Sequence, residues 1–126
     1  MEPNDISGAI ITAAIEVHRE LGGPGLLESI YEEALVHELT VRGLQVERQL
    51  PVEVAYKGAN LNTPLRLDLL VEDSVIVEIK AVETLASVSR SQLLTYLRLS
   101  DKPLGLLINF GEKLVKDGIH RVVNNF

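Results

Sequence analysis

Apolar and polar residues alternate most strictly between Leu65 and Ala81, LRLDLLVEDSVIVEIKA. The spacing predicts two β-strands joined by a turn at Glu72-Asp73-Ser74. In a strand, successive side chains point to opposite faces. Leu65, Leu67, Leu69 and Val71 then share one face, and Arg66, Asp68 and Leu70 the other. In the second strand Val75, Val77, Ile79 and Ala81 share a face, opposite Ile76, Glu78 and Lys80. A hairpin centred on Asp73 pairs residue 71 with 75, 69 with 77 and 68 with 78. A slip by one residue would send each polar side chain into the wrong layer.

The flanking segments have other periods. Asp5 to Leu21 repeats Ile6, Ile10, Ala13, Val17 and Leu21 at helical spacing, with Asn4 or Asp5 as candidate caps. Gly22-Gly23-Pro24-Gly25 stops it. A second helix is expected over Leu26 to Arg42, with a stripe of Leu27, Ile30, Ala34, Leu35 and Leu39, ended by Gly43. Val46 to Tyr56 alternates as a strand, and Pro51 marks it as an edge strand or an irregular one. Lys57-Gly58-Ala59-Asn60 is the turn that follows. A third helix is expected over Leu85 to Ser100. It lines up Ser89, Gln92 and Tyr96, packs on Leu93, Leu94 and Leu97, and is broken at Asp101-Lys102-Pro103. Leu104 to Phe110 is almost wholly apolar, as in a strand covered on both faces. Strand, helix and strand make a crossover unit. In the tail, Glu112 to Phe126, Lys116-Asp117-Gly118 reads as a turn and Ile119 to Val123 as a strand or a short helix.

Composition narrows the class. A chain of 126 residues that is 46% hydrophobic suits one globular domain spanning 1–126. No run approaches the ~20 apolar residues of a membrane span. With no cysteine, disulfides and thiolate metal sites are excluded, and a cytoplasmic location fits. A net charge of −6 argues against an extensive grip on duplex nucleic acid. It leaves room for a small groove that a homo-oligomer or protein partner completes.

The candidate chemistry lies on the hairpin. In the predicted register Asp68 faces Glu78, with β-carbons roughly 4.5–5.5 Å apart, and Arg66 faces Lys80. Like charges placed so destabilise a sheet unless something compensates them. Magnesium or manganese would, since hard cations bind through one or two carboxylates plus phosphates and waters. Lys80, on the same face, then reaches a bound phosphate or water. The plainer reading is a solvated acidic face. Glu28 shares a helix face with Tyr31 and Glu32. It either joins this site or merely compensates the dipole of its helix. His18, His37 and His120 have no ligand spacing and read as surface residues.

The order helix, helix, three antiparallel strands, helix, strand, with Asp68, Glu78-Ile79-Lys80 and Gln92-x-x-x-Tyr96, resembles the PD-(D/E)xK nuclease superfamily. Gly25-Leu26-Leu27-Glu28-Ser29-Ile30-Tyr31 is similar to the signature of its GxxExxY family. The similarity extends through Arg48-Gln49, Tyr56-Lys57-Gly58, Arg66-Leu67-Asp68, Gln92-Leu93-Leu94-Thr95-Tyr96 and Leu107-Ile108-Asn109-Phe110-Gly111. One departure is Leu67, which stands where the motif has proline.

The resemblance implies an α/β, restriction-endonuclease-like fold. Its αβββαβ core holds a mixed four- or five-stranded sheet flanked by helices. It implies Asp68, Glu78 and Lys80 as catalytic residues. Glu28, Asp68, Glu78 and the Ile79 carbonyl would be ligands of Mg2+ or Mn2+, with Gln92, Tyr96, Tyr31 and Arg66 in support. The expected function is hydrolysis of phosphodiester bonds in DNA, ahead of RNA. The alternative is a non-catalytic module of the same fold that binds nucleic acid or protein.

Overall fold

The computed structural model describes residues 1–125; Phe126, the end of the predicted tail, lies outside the described residues. Two helices come first, α1 (Pro3–Glu20) and α2 (Glu28–Val41). Strand β1 (Val46–Val52) leads into a two-stranded arm, β2 (Ala55–Tyr56) and β3 (Ala59–Asn60). The hairpin β4 (Leu65–Val71) and β5 (Val75–Lys80) follows, then α3 (Val88–Ser100), β6 (Leu104–Asn109), a 3-10 turn (Val115–Gly118) and β7 (Ile119–Val123). The main sheet has five strands in the order β1-β4-β5-β6-β7. Only β5 and β6, joined through α3, run parallel; the other neighbouring pairs are antiparallel.

Two apolar layers hold the sheet. Ile6, Ile10, Val17, Leu35 and Leu39 of α1 and α2 pack on Leu69, Val77, Ile79 and Leu106. On the opposite face Leu93 and Leu97 of α3 pack on Leu67, Leu70, Ile76 and Leu107. All of β6 is buried, as its unbroken apolar run requires when helices cover both faces. The tail resolves as a strand, because Ile119–Val123 pairs with the otherwise open edge of β6.

The helix limits differ from expectation. Pro3 sits in the first turn of α1, where its missing N–H costs nothing, and Asp5 accepts the Glu2 N–H at 3.3 Å. Glu2 is therefore the N-cap and Asp5 the reciprocal acid of a capping box, while Asn4 is a first-turn residue. Leu21 lies past the helix and is exposed. In α2 the buried face is Tyr31, Glu32, Leu35 and Leu39, whereas Leu27 and Ile30 face solvent. The predicted strand to Tyr56 stops at Val52, and Tyr56 belongs to the arm.

The hairpin register is as expected near the turn: Val71 pairs with Val75, Leu70 with Ile76 and Leu69 with Val77. It differs beyond. Asp68 with Glu78 and Arg66 with Lys80 are not ladder pairs. Nor do Leu65, Leu67, Leu69 and Val71 share a face: Leu65 and Leu67 pack on the α3 side, Leu69 and Val71 on the α1/α2 side. Strand β1 switches at the same level, with Val46 on the α1/α2 side and Leu50 and Val52 on the α3 side. The cause is local. Gln49 holds a left-handed backbone, φ 52°, and the β1–β4 pairing passes over Gln49 and Asp68 while keeping register on either side.

Candidate active site

The interrupted end of the hairpin is where the polar residues gather. Main-chain groups that lose their ladder partners need others. Asp68 supplies one: its Oδ2 accepts the Ile79 N–H at 2.8 Å. Glu78 supplies another, with Oε1 3.4 Å from the Asp68 N–H. The two carboxylates are thus tied to each other's strands rather than stacked across a regular ladder. On the β1 side Gln49 Nε2 lies 2.9 Å from Glu32 Oε1 and 3.4 Å from Asp68 Oδ1. Arg48 Nε completes the cluster, 2.7 Å from Glu32 Oε2.

A cavity of about 180 Å³ opens here, lined by Glu28, Arg66, Asp68, Glu78, Lys80, Ser89, Gln92, Leu93, Tyr96 and Leu107. Five elements contribute: the first residue of α2, strands β4 and β5, and the inner face of α3 with β6 behind. Gln92 Nε2 donates to the Tyr96 hydroxyl at 2.9 Å, one helical turn apart. Arg66 Nη1 donates to the Gln49 carbonyl at 3.1 Å. A larger cavity, about 470 Å³ between His18, Gly23 and Leu114, holds no carboxylate.

The electrostatics set this cavity apart. Burial pushes the Glu78 carboxyl up to about 9, and the neighbouring Asp68 adds to the shift against the opposing pull of Lys80. Glu28 is more open. Its pKa is raised by partial burial, then by Asp68, with Lys80 opposing and Glu32 adding. The Tyr96 hydroxyl is also raised, first by burial and then by the Glu78 charge. Three acids, Glu28, Asp68 and Glu78, stand against Lys80 and Arg66 in the lining, and Glu78 escapes the crowding of negative charge by holding its proton.

Two predicted residues lie outside the cavity. Ile79 buries its side chain in the α1/α2 layer and meets the site through its backbone, whose N–H donates to Asp68 Oδ2. Tyr31 is fully buried, stacked on Phe110 with ring centroids 4.7 Å apart. Its hydroxyl donates to the Gly23 carbonyl at 2.7 Å and accepts from Leu26 N–H at 3.2 Å. That clamp fixes the loop that delivers Glu28. Gly25 within the loop has φ 113°, a backbone that side chains resist.

The lysine end of β5 is anchored too. The Lys80 carbonyl accepts from Phe110 N–H at 2.8 Å. The Phe110 carbonyl is 3.1 Å from His18 Nε2. His18 is therefore buried, contrary to the surface reading; His37 is exposed as expected. Asn109 brackets the next residues, its amide bonding both the N–H and the carbonyl of Val82 at 3.0 Å. A β-carbon on Gly111 would lie 2.2 Å from the Val82 carbonyl oxygen, so that approach requires glycine. Arg48-Gln49 and the shared face of Glu28 and Glu32 are visible in the sequence, but the pattern alone gives neither Gln49 nor Glu32 a part in the site. Their polar character inside an alternating strand and on a buried helix face was the available signal.

The donor set bears on a metal. Among the described residues no three acidic or histidine side chains converge closely enough to hold one between them. What is present is a pair of carboxylates from adjoining strands. That fits a magnesium- or manganese-type ion, which takes one or two carboxylates and fills its remaining positions with phosphate and water.

The fold and this cavity define an α/β protein with acids and a lysine at the broken end of a central hairpin. Residues 4–122 match the PD-(D/E)XK nuclease superfamily, and the chain belongs to it. The crystal structure of SSO0001 has a similar fold, with a TM-score of 0.59 at 18% identity over 78% of this chain. The match covers 50% of that protein, so this chain spans about half its length. No curated protein matches the chain in sequence. Among the described residues no helix is long and apolar enough to cross a membrane.

Proposed function

We propose that this protein is a divalent-metal-dependent nuclease of the GxxExxY type that hydrolyses phosphodiester bonds in DNA. The observation that carries the reading is the convergence of Glu28, Asp68, Glu78 and Lys80, from three separate elements, on one cavity of about 180 Å³. Buried Glu78 and half-buried Asp68, on adjoining strands beside Lys80, form a carboxylate pair that would suit a bound cation.

Asp68 and Glu78 would hold Mg2+ or Mn2+, which supplies charge neutralisation and polarisation at the phosphate. Lys80 then faces the scissile group. Its ammonium donates to the non-bridging oxygens and stabilises the charge that develops there. Glu28, at the rim, orients the attacking water. Gln92 donates to Tyr96, which leaves the Tyr96 O–H free to donate toward the carboxylates or the substrate. Arg66, tethered to the Gln49 carbonyl, adds a fixed positive charge beside the entrance.

The test is incubation of the pure protein with linear, circular and single-stranded DNA and with RNA, in manganese and in chelator. Cleavage in manganese alone, lost in Asp68→Asn, is the expected result. Wild-type protein that cuts none of the four would favour the non-catalytic module instead.

A further inference from the structure

The β2–β3 arm has no part in the core or in the cavity. Ala55 pairs with Asn60 and Tyr56 with Ala59, and Lys57-Gly58 turns the chain with positive φ at both residues. Leu61 N–H closes the base on the Val54 carbonyl at 2.9 Å. Every residue from 55 to 64 is exposed. Tyr56 is 59% exposed although it is the one aromatic of the arm, and Lys57 Nζ lies 5.4 Å from its ring centre. An isolated exposed apolar residue is ordinary. This one is coupled to a cation at a defined place in the fold.

That place is the active-site end of the sheet. The arm leaves β1 after Val52 and re-enters at Leu65, and these two residues pair. Arg66, next along β4, and Asp68, two further on, line the cavity. Antiparallel to β4, strand β5 brings Lys80 to the same end. From Asp68 to the base of the arm is about 10 Å along the strand. The charge pattern agrees. In a chain of net charge −6, the stretch from Ala55 to Arg66 contains Lys57 and Arg66 and no acid, and Glu53, just before it, is tied at the base of the arm by the Asn60 amide. A cavity of about 180 Å³ has room for one phosphodiester group, so the rest of a strand must lie on the surface beside it.

We infer that the Tyr56–Lys57 arm binds an unpaired DNA strand beside the cleavage site, with a base stacked on Tyr56 and Lys57 on a flanking phosphate. The proposal rests on the nuclease reading of the cavity and names its substrate as single-stranded or frayed DNA. Stacking offers an acidic protein affinity without a basic surface, because every base has a π-face. Each phosphate contact adds a term that salt removes.

The probe is a short fluorescein-labelled phosphorothioate oligothymidylate, which resists hydrolysis, with a blunt duplex of equal length beside it. Anisotropy is read in manganese across a salt series, with cleavage of the ordinary oligothymidylate measured in parallel. Wild type should prefer the single strand. Tyr56→Ala should weaken that binding about ten- to a hundred-fold, raising KM and sparing kcat, with the salt slope unchanged. Tyr56→Phe should bind as wild type does. Lys57→Ala should reduce the slope by about 0.7. Tyr56 is exposed, so thermal melting should be the same in all three variants. Wild-type binding in Tyr56→Ala, a Phe variant as weak as the Ala one, or preference for duplex overturns the arm's role while cleavage leaves the nuclease reading standing. Tyr56-dependent binding without cleavage keeps the arm and removes the hydrolase; neither binding nor cleavage removes both.

Discussion

The central hairpin has two unlike ends. At the turn, Leu69 to Val77 pairs in regular register and its side chains fill both apolar layers. At the other end the ladder gives way at Asp68, and carboxylates bond the main chain instead. The first end is held by burial, worth about 25 cal/mol for each Å² of apolar surface. The second spends stability: buried Glu78 and half-buried Asp68 stand together beside Lys80. The difference shows how a sheet can carry reactive groups. The ladder is finished where nothing needs to happen and interrupted where side chains must face one another.

The largest expected effect lies at the open end. Lys80→Ala should cut nuclease turnover by roughly 10²–10⁴-fold while preserving the fold. Lys80→Arg should also fail, because a planar, bulkier guanidinium does not present the same compact charge. Steady-state cleavage and a thermal melt decide it. Full activity in the arginine variant would reduce Lys80 to a counter-charge.

At the paired end the expected loss is one of stability. Leu69 is fully buried, and Leu69→Ala should cost about 2–5 kcal/mol in denaturant unfolding. A smaller loss would mean that the turn end is no better packed than the open one.

The acid pair should declare itself in the pH dependence of the metal-free protein. The Glu78 carboxyl stands at about 9 in the fold, against an ordinary 4.5. Between those values the native state keeps a proton that the unfolded chain has released, so stability falls as pH rises through that window. Glu78→Gln should flatten this slope and match or exceed the wild type near neutral pH. Manganese should raise the wild-type melting temperature more than that of Glu78→Gln or Asp68→Asn. Equal shifts in the three proteins would argue against a metal at this end.

The smallest effect belongs to the turn's surface. Lys102 Nζ sits 3.0 Å from Asp73 Oδ1, and Asp73 is largely exposed. Lys102→Ala should change stability by no more than about 1 kcal/mol. A larger change would mean that charge, as well as burial, fixes the turn.

Much of this contrast was legible in the sequence. The alternation of Val71, Leu69, Val75 and Val77 gives the register at the turn, and the apolar run at Leu104 gives the covered strand. Asp68, Glu78 and Lys80 stand out as polar residues inside that pattern. What periodicity could not give was the switch of faces between Leu67 and Leu69. It depends on the left-handed backbone of Gln49, and glutamine carries no signal for positive φ. Nor could it place His18. A histidine on an apolar helix face looks solvent-bound until a carbonyl 92 residues away is known to receive it. The helix stripe of α2 misled for a related reason. Leu27 and Ile30 fit the period, but the partner surface sits under Tyr31 and Leu35.

That remote carbonyl has a consequence in time. Phe110 receives His18 and itself holds the Lys80 backbone. During synthesis α1, both acid-bearing strands and the lysine leave the ribosome before Phe110 does. Contacts so distant along the chain are slow to form. Until they do, the Lys80 end of β5 lacks the strand that holds its backbone. A growing chain therefore carries every reactive group of the site well before it carries the site.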